Sequence, residues 1–387
     1  MKRLSRRKQF LARTFDSIVG PVWKLAGAVR RTPGEYPVPA SILVLEPWRI
    51  GDVILATPVL AGLRRLYPRA RISLLAQPFA EELLLGTSAV DEFIPAVLPW
   101  TADSSKYAPL RYTDPSLRAL IARLRASRFD LAIDARMDLR NHLLMWRAGA
   151  RRRVGYDYGG ASYALTDRLT PNDSRPHRVE DWQGILRYLG ATGEALPLHL
   201  AVLPDEQSRA GSWLSEQGIQ VGDLLLGVHP GASNYTKRWA PEKFAEASRL
   251  AAERHGARVL TFTDGVSTVD GIPGAVNAPY GSLREMLALI ARCDVLLCND
   301  SGPMHAAAAL GVPTVSAFTA SRADWYAPTG DVHGAAWVDG FACRPCFDAC
   351  IFSEAYCNTS LSARDVLLVL DRVLGRVATT RATRRVG

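Results

Sequence analysis

Residues 298–318 read CNDSGPMHAAAALGVPTVSAF. An apolar run ends in Asn-Asp-Ser-Gly, a proline opens an alanine-rich stretch of helical length, and a second β-branched run follows. Strand, turn, helix, strand is the repeating unit of a parallel sheet. Pro303 suits the first turn of a helix, where its missing N–H leaves no bond unmade. The amides of Gly302, Met304 and His305 are then expected to face outward at a helix N-terminus, an anion site made of backbone. Asp300 would repel a bare phosphate and suits sugar hydroxyls better. His305 could donate to a phosphate or sugar oxygen; a packed, satisfied core histidine is the alternative.

The same alternation extends in both directions. Downstream of a break near 190–220, DLLLGVHPGAS (223–233) reads as a strand and loop. A helix from 241 to 255, a strand over 257–263, a helix over 282–292 and a strand over 294–300 lead into the opening stretch. Upstream, SILVLEP opens a second series: a helix of about four turns from Val53 to Tyr67, strands over 70–77, 91–97 and 129–136, and helices over 116–127 and 138–148. A chain of 387 residues is long for one core. The expected fold class is α/β, with two Rossmann-like doubly wound domains. The expected boundaries are a basic tail and linker at 1–40, one domain at 41–205, a second with a cysteine cluster at 206–359, and a helix with a basic tail at 360–387. Open parallel sheets bind ligands at the carboxyl ends of their strands, which directs attention to the loops there.

The net charge of +9 belongs to the termini. Residues 1–31 hold nine Lys and Arg against Asp16 alone, and residues 376–387 hold four Arg and no acid, so the body between is slightly acidic. That argues against a basic groove for nucleic acid, which needs positive charge along the folded surface. Leu4, Leu11, Phe15, Ile18 and Val22 recur at helical spacing with most cations on the other side. This suits a tail lying on an anionic membrane surface; a solvated, frayed tail is the alternative. No apolar run has the length of a membrane span and no secretory signal is evident, so a cytoplasmic protein is expected.

Two loops carry candidate chemistry. In EPWRIGDVILATP, Gly51 permits a tight turn after the first strand and Asp52 falls at the start of the next helix, either as a helix cap or as a carboxylate base. In GVHPGASNYTKRWAPEKF, Gly231, Ala232 and Ser233 can bring amides close to a phosphate, with Lys237 and Arg238 adding charge. Neither loop is a dinucleotide G-x-G-x-x-G fingerprint or a Walker loop.

Taken together, GDVILATPVLAGLRRLYPRARISLL (51–75), HPGASNYTKRWAPEKF (229–244) and NDSGPMHAAAALGVPTVSAF (299–318) resemble the ADP-heptose:lipopolysaccharide heptosyltransferases, glycosyltransferase family nine. The likeness covers roughly residues 41–372. It implies the GT-B architecture of two facing Rossmann-like domains. It also implies inverting, metal-independent transfer from a nucleotide diphosphate sugar to a lipid-linked lipopolysaccharide-type acceptor at the inner face of the cytoplasmic membrane, with no cofactor required. Carried over, Asp52 would be the general base, on an acceptor-side loop with Arg49 and Gly51. Lys237 and the amides around Gly231 and Ser233 would hold the donor phosphates, and Asp300, Ser301, Gly302 and His305 would frame the sugar diphosphate. The chain departs from the family in three places. Glu46 stands where arginine is usual, TFTDGVSTVDG replaces a Gly-Gly-Pro segment with an acid that reads the ribose (leaving Asp264 as the stand-in), and TASRAD replaces Gly-Pro-Thr-Asp.

Cys343, Cys346, Cys350 and Cys357 are spaced C-x2-C-x3-C-x6-C. A structural zinc site, a less expected iron–sulfur cluster, reduced thiols and disulfides all fit that spacing. Cys293 and Cys298 read as packing residues. Three rival functions also fit: a GT-B epimerase acting on a nucleotide sugar, a catalytically silent nucleotide-sugar-binding protein, and, least well, a metal-binding interaction module.

Overall fold

The structure is a computed structural model that describes residues 14, 17–18, 36–101, 114–157, 161–171, 177–279, 281–346 and 350–386, the side chains of 381–386 excepted. The basic amphipathic segment expected at the N-terminus lies outside the described residues but for Thr14, Ser17 and Ile18. The chain divides into two compact units, Met1–Leu198 and His199–Gly387.

The first unit holds β1 (Ser41–Glu46), α1 (Ile50–Leu55), α2 (Thr57–Leu66), β2 (Arg71–Ala76), β3 (Glu92–Pro95), α3 (Pro115–Ala126), β4 (Leu131–Asp134), α4 (Leu139–Arg147), β5 (Arg152–Tyr156), β6 (Asp167–Leu169) and α5 (Arg178–Tyr188). All its strands are parallel, in the order β3-β2-β1-β4-β5-β6. Ile42, Leu43, Val44 and Leu45 are fully buried, as a central strand covered on both faces requires. One expected helix divides in two. Ala56 separates α1 from α2, and Pro58 stands in the first turn of the second. Without an N–H, Pro58 cannot bond the Ile54 carbonyl, which instead accepts the Thr57 hydroxyl at 2.7 Å.

The second unit holds α6 (Pro204–Glu216), β7 (Leu225–His229), α7 (Pro241–His255), β8 (Arg258–Thr261), β9 (Val276–Asn277), α8 (Leu283–Ile290), β10 (Val295–Asn299), α9 (Gly302–Ala309), β11 (Thr314–Ala317), β12 (Gly334–Ala336) and α10 (Ala363–Val386). Its strands, again parallel, run β12-β11-β10-β7-β8-β9. Alternate residues serve opposite faces. Leu226, Val228, Val295 and Leu297 pack with Trp239, Phe244 and the Val366, Leu370 and Leu374 side chains of α10. Leu225, Leu296 and Cys298 pack with Met304, Ala307 and Phe318 on the other side. The small side chains of α9 let it lie on the sheet, with Met304, Ala306 and Ala307 fully buried.

In each sheet the strand order reverses at one place, between β1 and β4 and between β7 and β10. There the connections leave in opposite directions and open a crevice at the strand ends.

Candidate active site

The first unit's crevice is lined by the loops after β1 and β4. Asp52 is the third residue of α1, and its carboxylate reaches back to the Arg49 amide at 3.3 Å. It therefore supports the helix start from inside rather than as the cap itself. A second contact falls on the same oxygen: Arg136 Nη2 lies 2.6 Å from Asp52 Oδ2. Arg136 Nε donates to Glu46 Oε1 at 3.1 Å, and its guanidinium sits 5.3 Å from the centre of the Trp48 ring. Glu46 is 1% exposed. Burial pushes its carboxyl up to about 8 and outweighs the nearby Arg136 charge, with Asp52 and Asp134 adding to the rise. Arg49 is exposed and Gly51 partly so.

In the second unit, Lys237 closes a single 3-10 turn, Tyr235–Lys237, after β7. Its Nζ lies 2.7 Å from Asp300 Oδ2, just beyond β10. The Ser321 hydroxyl donates to the same carboxylate oxygen. Burial alone would raise the Asp300 carboxyl. The charge and hydrogen bond of Lys237, the Ser321 hydroxyl and the nearby His305 outweigh it and hold Asp300 below the usual carboxylate range. A cation suited to phosphate thus stands against a carboxylate suited to hydroxyls. The loop carrying Lys237 is fixed by Asn299, whose Nδ2 donates to Pro230 O at 2.5 Å while its Oδ1 accepts from Trp239 N at 3.0 Å. The Thr319 hydroxyl adds a bond to Thr236 O at 2.7 Å.

Two expected donors are committed elsewhere. Gly231 N donates to His229 Nδ1 at 3.2 Å. The ring can accept because burial lowers His229 to about 4 and keeps it neutral. Glycine is required at 231 because a Cβ there would meet the Asp264 side chain at 2.5 Å. At the start of α9, Met304 N bonds Ser301 O at 3.2 Å, and the Ser301 hydroxyl turns to Asn299 O at 3.3 Å rather than capping the helix. Ser233 is exposed, Ser301 and Gly302 are partly exposed, and His305 is 4% exposed. Asp264 accepts the amides of Val266 and Ser267 at 3.0 and 2.6 Å, so it shapes its own turn. Arg136 and Asn299 went unnoticed in the sequence. Asn299 lay in a segment read only as a turn, and nothing in the spacing ties residue 136 to residue 52.

The sequence matches glycosyltransferase family 9 (heptosyltransferase) over residues 117–356. The chain belongs to that family. Lipopolysaccharide heptosyltransferase 2 of Salmonella typhimurium is 27% identical to this glycosyltransferase over 309 residues, covering 74% of this chain and 85% of that protein. A family 9 glycosyl transferase from Veillonella parvula superposes with a TM-score of 0.68 at 21% identity, over 87% of this chain and 97% of its own. ADP-heptose lps heptosyltransferase II of Escherichia coli does so at 0.64 and 22%, over 87% and 99%. The fold is thus the two-unit α/β fold of the GT-B class. The matched segment contains Lys237, Asp300 and the other residues expected on the donor side, whereas Glu46, Arg49, Gly51 and Asp52 precede it.

The cysteines of this glycosyltransferase are free thiols, which removes disulfides from the alternatives. Cys343, Cys357 and Cys350 gather near Cys346, where burial first and these neighbours second push the thiol up to about 11. Among the described residues, no group of three or more His, Cys, Asp or Glu side chains is arranged to hold a metal ion. The structure lends the zinc expectation no support. Cys293 and Cys298 are buried, and burial raises both thiols, Cys298 to about 12, as packing residues require.

Proposed function

We propose that this glycosyltransferase moves a heptose from ADP-heptose to a lipid-linked acceptor of the lipopolysaccharide core type, with inversion and without a metal ion. The observation that carries the reading is the Lys237–Asp300 pair at the second unit's switch point, inside the segment that matches the family. Lys237 faces the donor's diphosphate and stabilises the charge that builds up as it leaves. Asp300, Ser301, Gly302 and His305 frame the sugar, and Ser233 adds an amide. On the first unit Asp52 removes the proton from the acceptor hydroxyl. A single base on the face opposite the leaving group is what inversion needs, and such a base contributes about 10²–10⁴-fold. The relatives named for lipopolysaccharide heptosyl transfer and for ADP-heptose favour this donor and acceptor.

Access to a lipid-linked acceptor fits a protein held at an anionic membrane surface by its basic tails. Among the described residues no helix is long and apolar enough to cross a membrane. Deleting residues 1–31 should release the protein from anionic vesicles and leave the fold intact; unchanged vesicle binding would remove the tail from this role.

A thermal-shift panel without added metal tests the donor. ADP and ADP-heptose should stabilise the protein, by about 2.7 kcal/mol at 100 times the dissociation constant, while UDP, GDP and CMP should not. A response to UDP or GDP alone would discard ADP-heptose. Asp52→Ala should abolish transfer and leave ADP-heptose binding in place; retained turnover would remove Asp52 as the base.

A further inference from the structure

We propose that Arg136, anchored by Glu46, is the positioning residue that orients Asp52 for catalysis; this rests on the reading of Asp52 as the base. Arg136 stands two residues beyond β4, the strand paired in parallel with β1. Its main-chain N–H donates to Asp134 Oδ1 at 3.2 Å. From there the side chain crosses the strand ends over Trp48, with Nε on Glu46 and Nη2 on Asp52. A guanidinium has donors in a rigid plane and can serve two carboxylates at once. Both contacts on Asp52, from Arg136 and from the Arg49 amide, fall on Oδ2. The carboxylate is held against rotation with Oδ1 turned away from them.

That arrangement suits proton abstraction. The acceptor oxygen bonds to the anomeric carbon as the bond from that carbon to the phosphate oxygen breaks, its electron pair leaving with the nucleoside diphosphate. The hydroxyl proton passes to Asp52 Oδ1. Asp52 is then neutral, while Arg136 keeps its hydrogen bond to Glu46. The charged groups facing Glu46 are Arg136, Asp52 and Asp134. Asp134 is itself held by Asn141 Nδ2 at 2.9 Å and lies 3.4 Å from His142 Nε2. The Asp52 charge is one of those that raise the Glu46 carboxyl, so a change of charge on Asp52 is felt at Glu46. The cation reaches Glu46 and Asp52 from the loop after the strand beside β1.

The test pairs a titration that needs no substrate with a comparison of kcat and KM. In the full-length protein the Glu46 carboxyl ¹³C signal, assigned through Glu46→Gln, should titrate near 8. Its midpoint should fall in Asp52→Asn and rise in Arg136→Met. With ADP-heptose and a deacylated lipopolysaccharide core acceptor, Arg136→Met should lose at least about tenfold in kcat. Its KM for the acceptor should stay within about twofold, as expected when an orienting contact is lost and not a binding one. Arg136→Lys keeps the charge but not the two-point reach and should fall between, which also serves if the methionine variant fails to fold. A Glu46 midpoint unmoved in Asp52→Asn and in either Arg136 variant would overturn the coupling. A raised KM for the acceptor with kcat unchanged would make Arg136 an acceptor contact and overturn the positioning role. Turnover retained in Asp52→Asn would sink the base itself, an outcome told apart because the Glu46 titration does not depend on it.

Discussion

Single side chains decide much of what this glycosyltransferase can do. Glu46 carries its proton at neutral pH because it is sealed from water, and the folded chain therefore binds that proton more tightly than the unfolded one. The sign follows from linkage: Glu46's contribution to stability is full below pH 4.5 and is lost as the pH rises toward about 8. The loss is at most about 1.4 kcal/mol per pH unit across that window. Glu46→Gln should flatten this part of the stability curve, measured by urea unfolding between pH 5 and 8. A slope unchanged by the substitution would place the proton elsewhere. Gly231 gives a second test at this scale. A methyl group there would meet the Asp264 carboxylate, so Gly231→Ala should lower stability by about 1–3 kcal/mol, read from the denaturation midpoint.

At the scale of elements, the loop after β7 is shaped by the strand beside it rather than by its own residues. Asn299, at the last position of β10, bonds both ends of the loop and is fully buried. Asn299→Ala strands the Pro230 carbonyl and the Trp239 amide without partners, at a cost of about 1–3 kcal/mol per group. ADP should bind more weakly in that variant, by calorimetric titration, because Lys237 loses its fixed seat. Unchanged affinity would show that the loop holds itself. Such contacts explain what the sequence conceals. The strands and helices were legible because buried β-branched runs and small-residue helices follow from local period. The division between α1 and α2 was legible in principle from Pro58. The bonds from Asn299 to Pro230 and from Arg136 to Asp52 join residues 69 and 84 apart in the chain, and no local pattern records them. The commitment of the Gly231 amide to His229 was hidden for the opposite reason: a small-residue loop looks open until a buried neutral ring claims one of its donors.

For the molecule as a whole, two units with separate cores predict two unfolding events. Scanning calorimetry should resolve them, and ADP should raise only the transition belonging to residues 199–387. A single transition shifted as a whole would show that the units unfold together. The family and fold were readable across the chain because three motifs mark the two switch points. The cysteine cluster was not, since spacing alone does not say whether thiols converge.

The packing of α10 has a consequence for how the protein is born. Val366, Leu370 and Leu374 complete one face of the second sheet, while Trp239 Nε1 and Lys243 Nζ both donate to the Leu361 carbonyl, at 2.9 and 2.8 Å. On the ribosome the first unit can close as soon as its own residues emerge. The second must wait, with β7 and β10 made but half their cover missing, until residues 361–374 have left the exit tunnel. The second unit is therefore completed after the first, and for that interval it is the part a chaperone or a protease would find open.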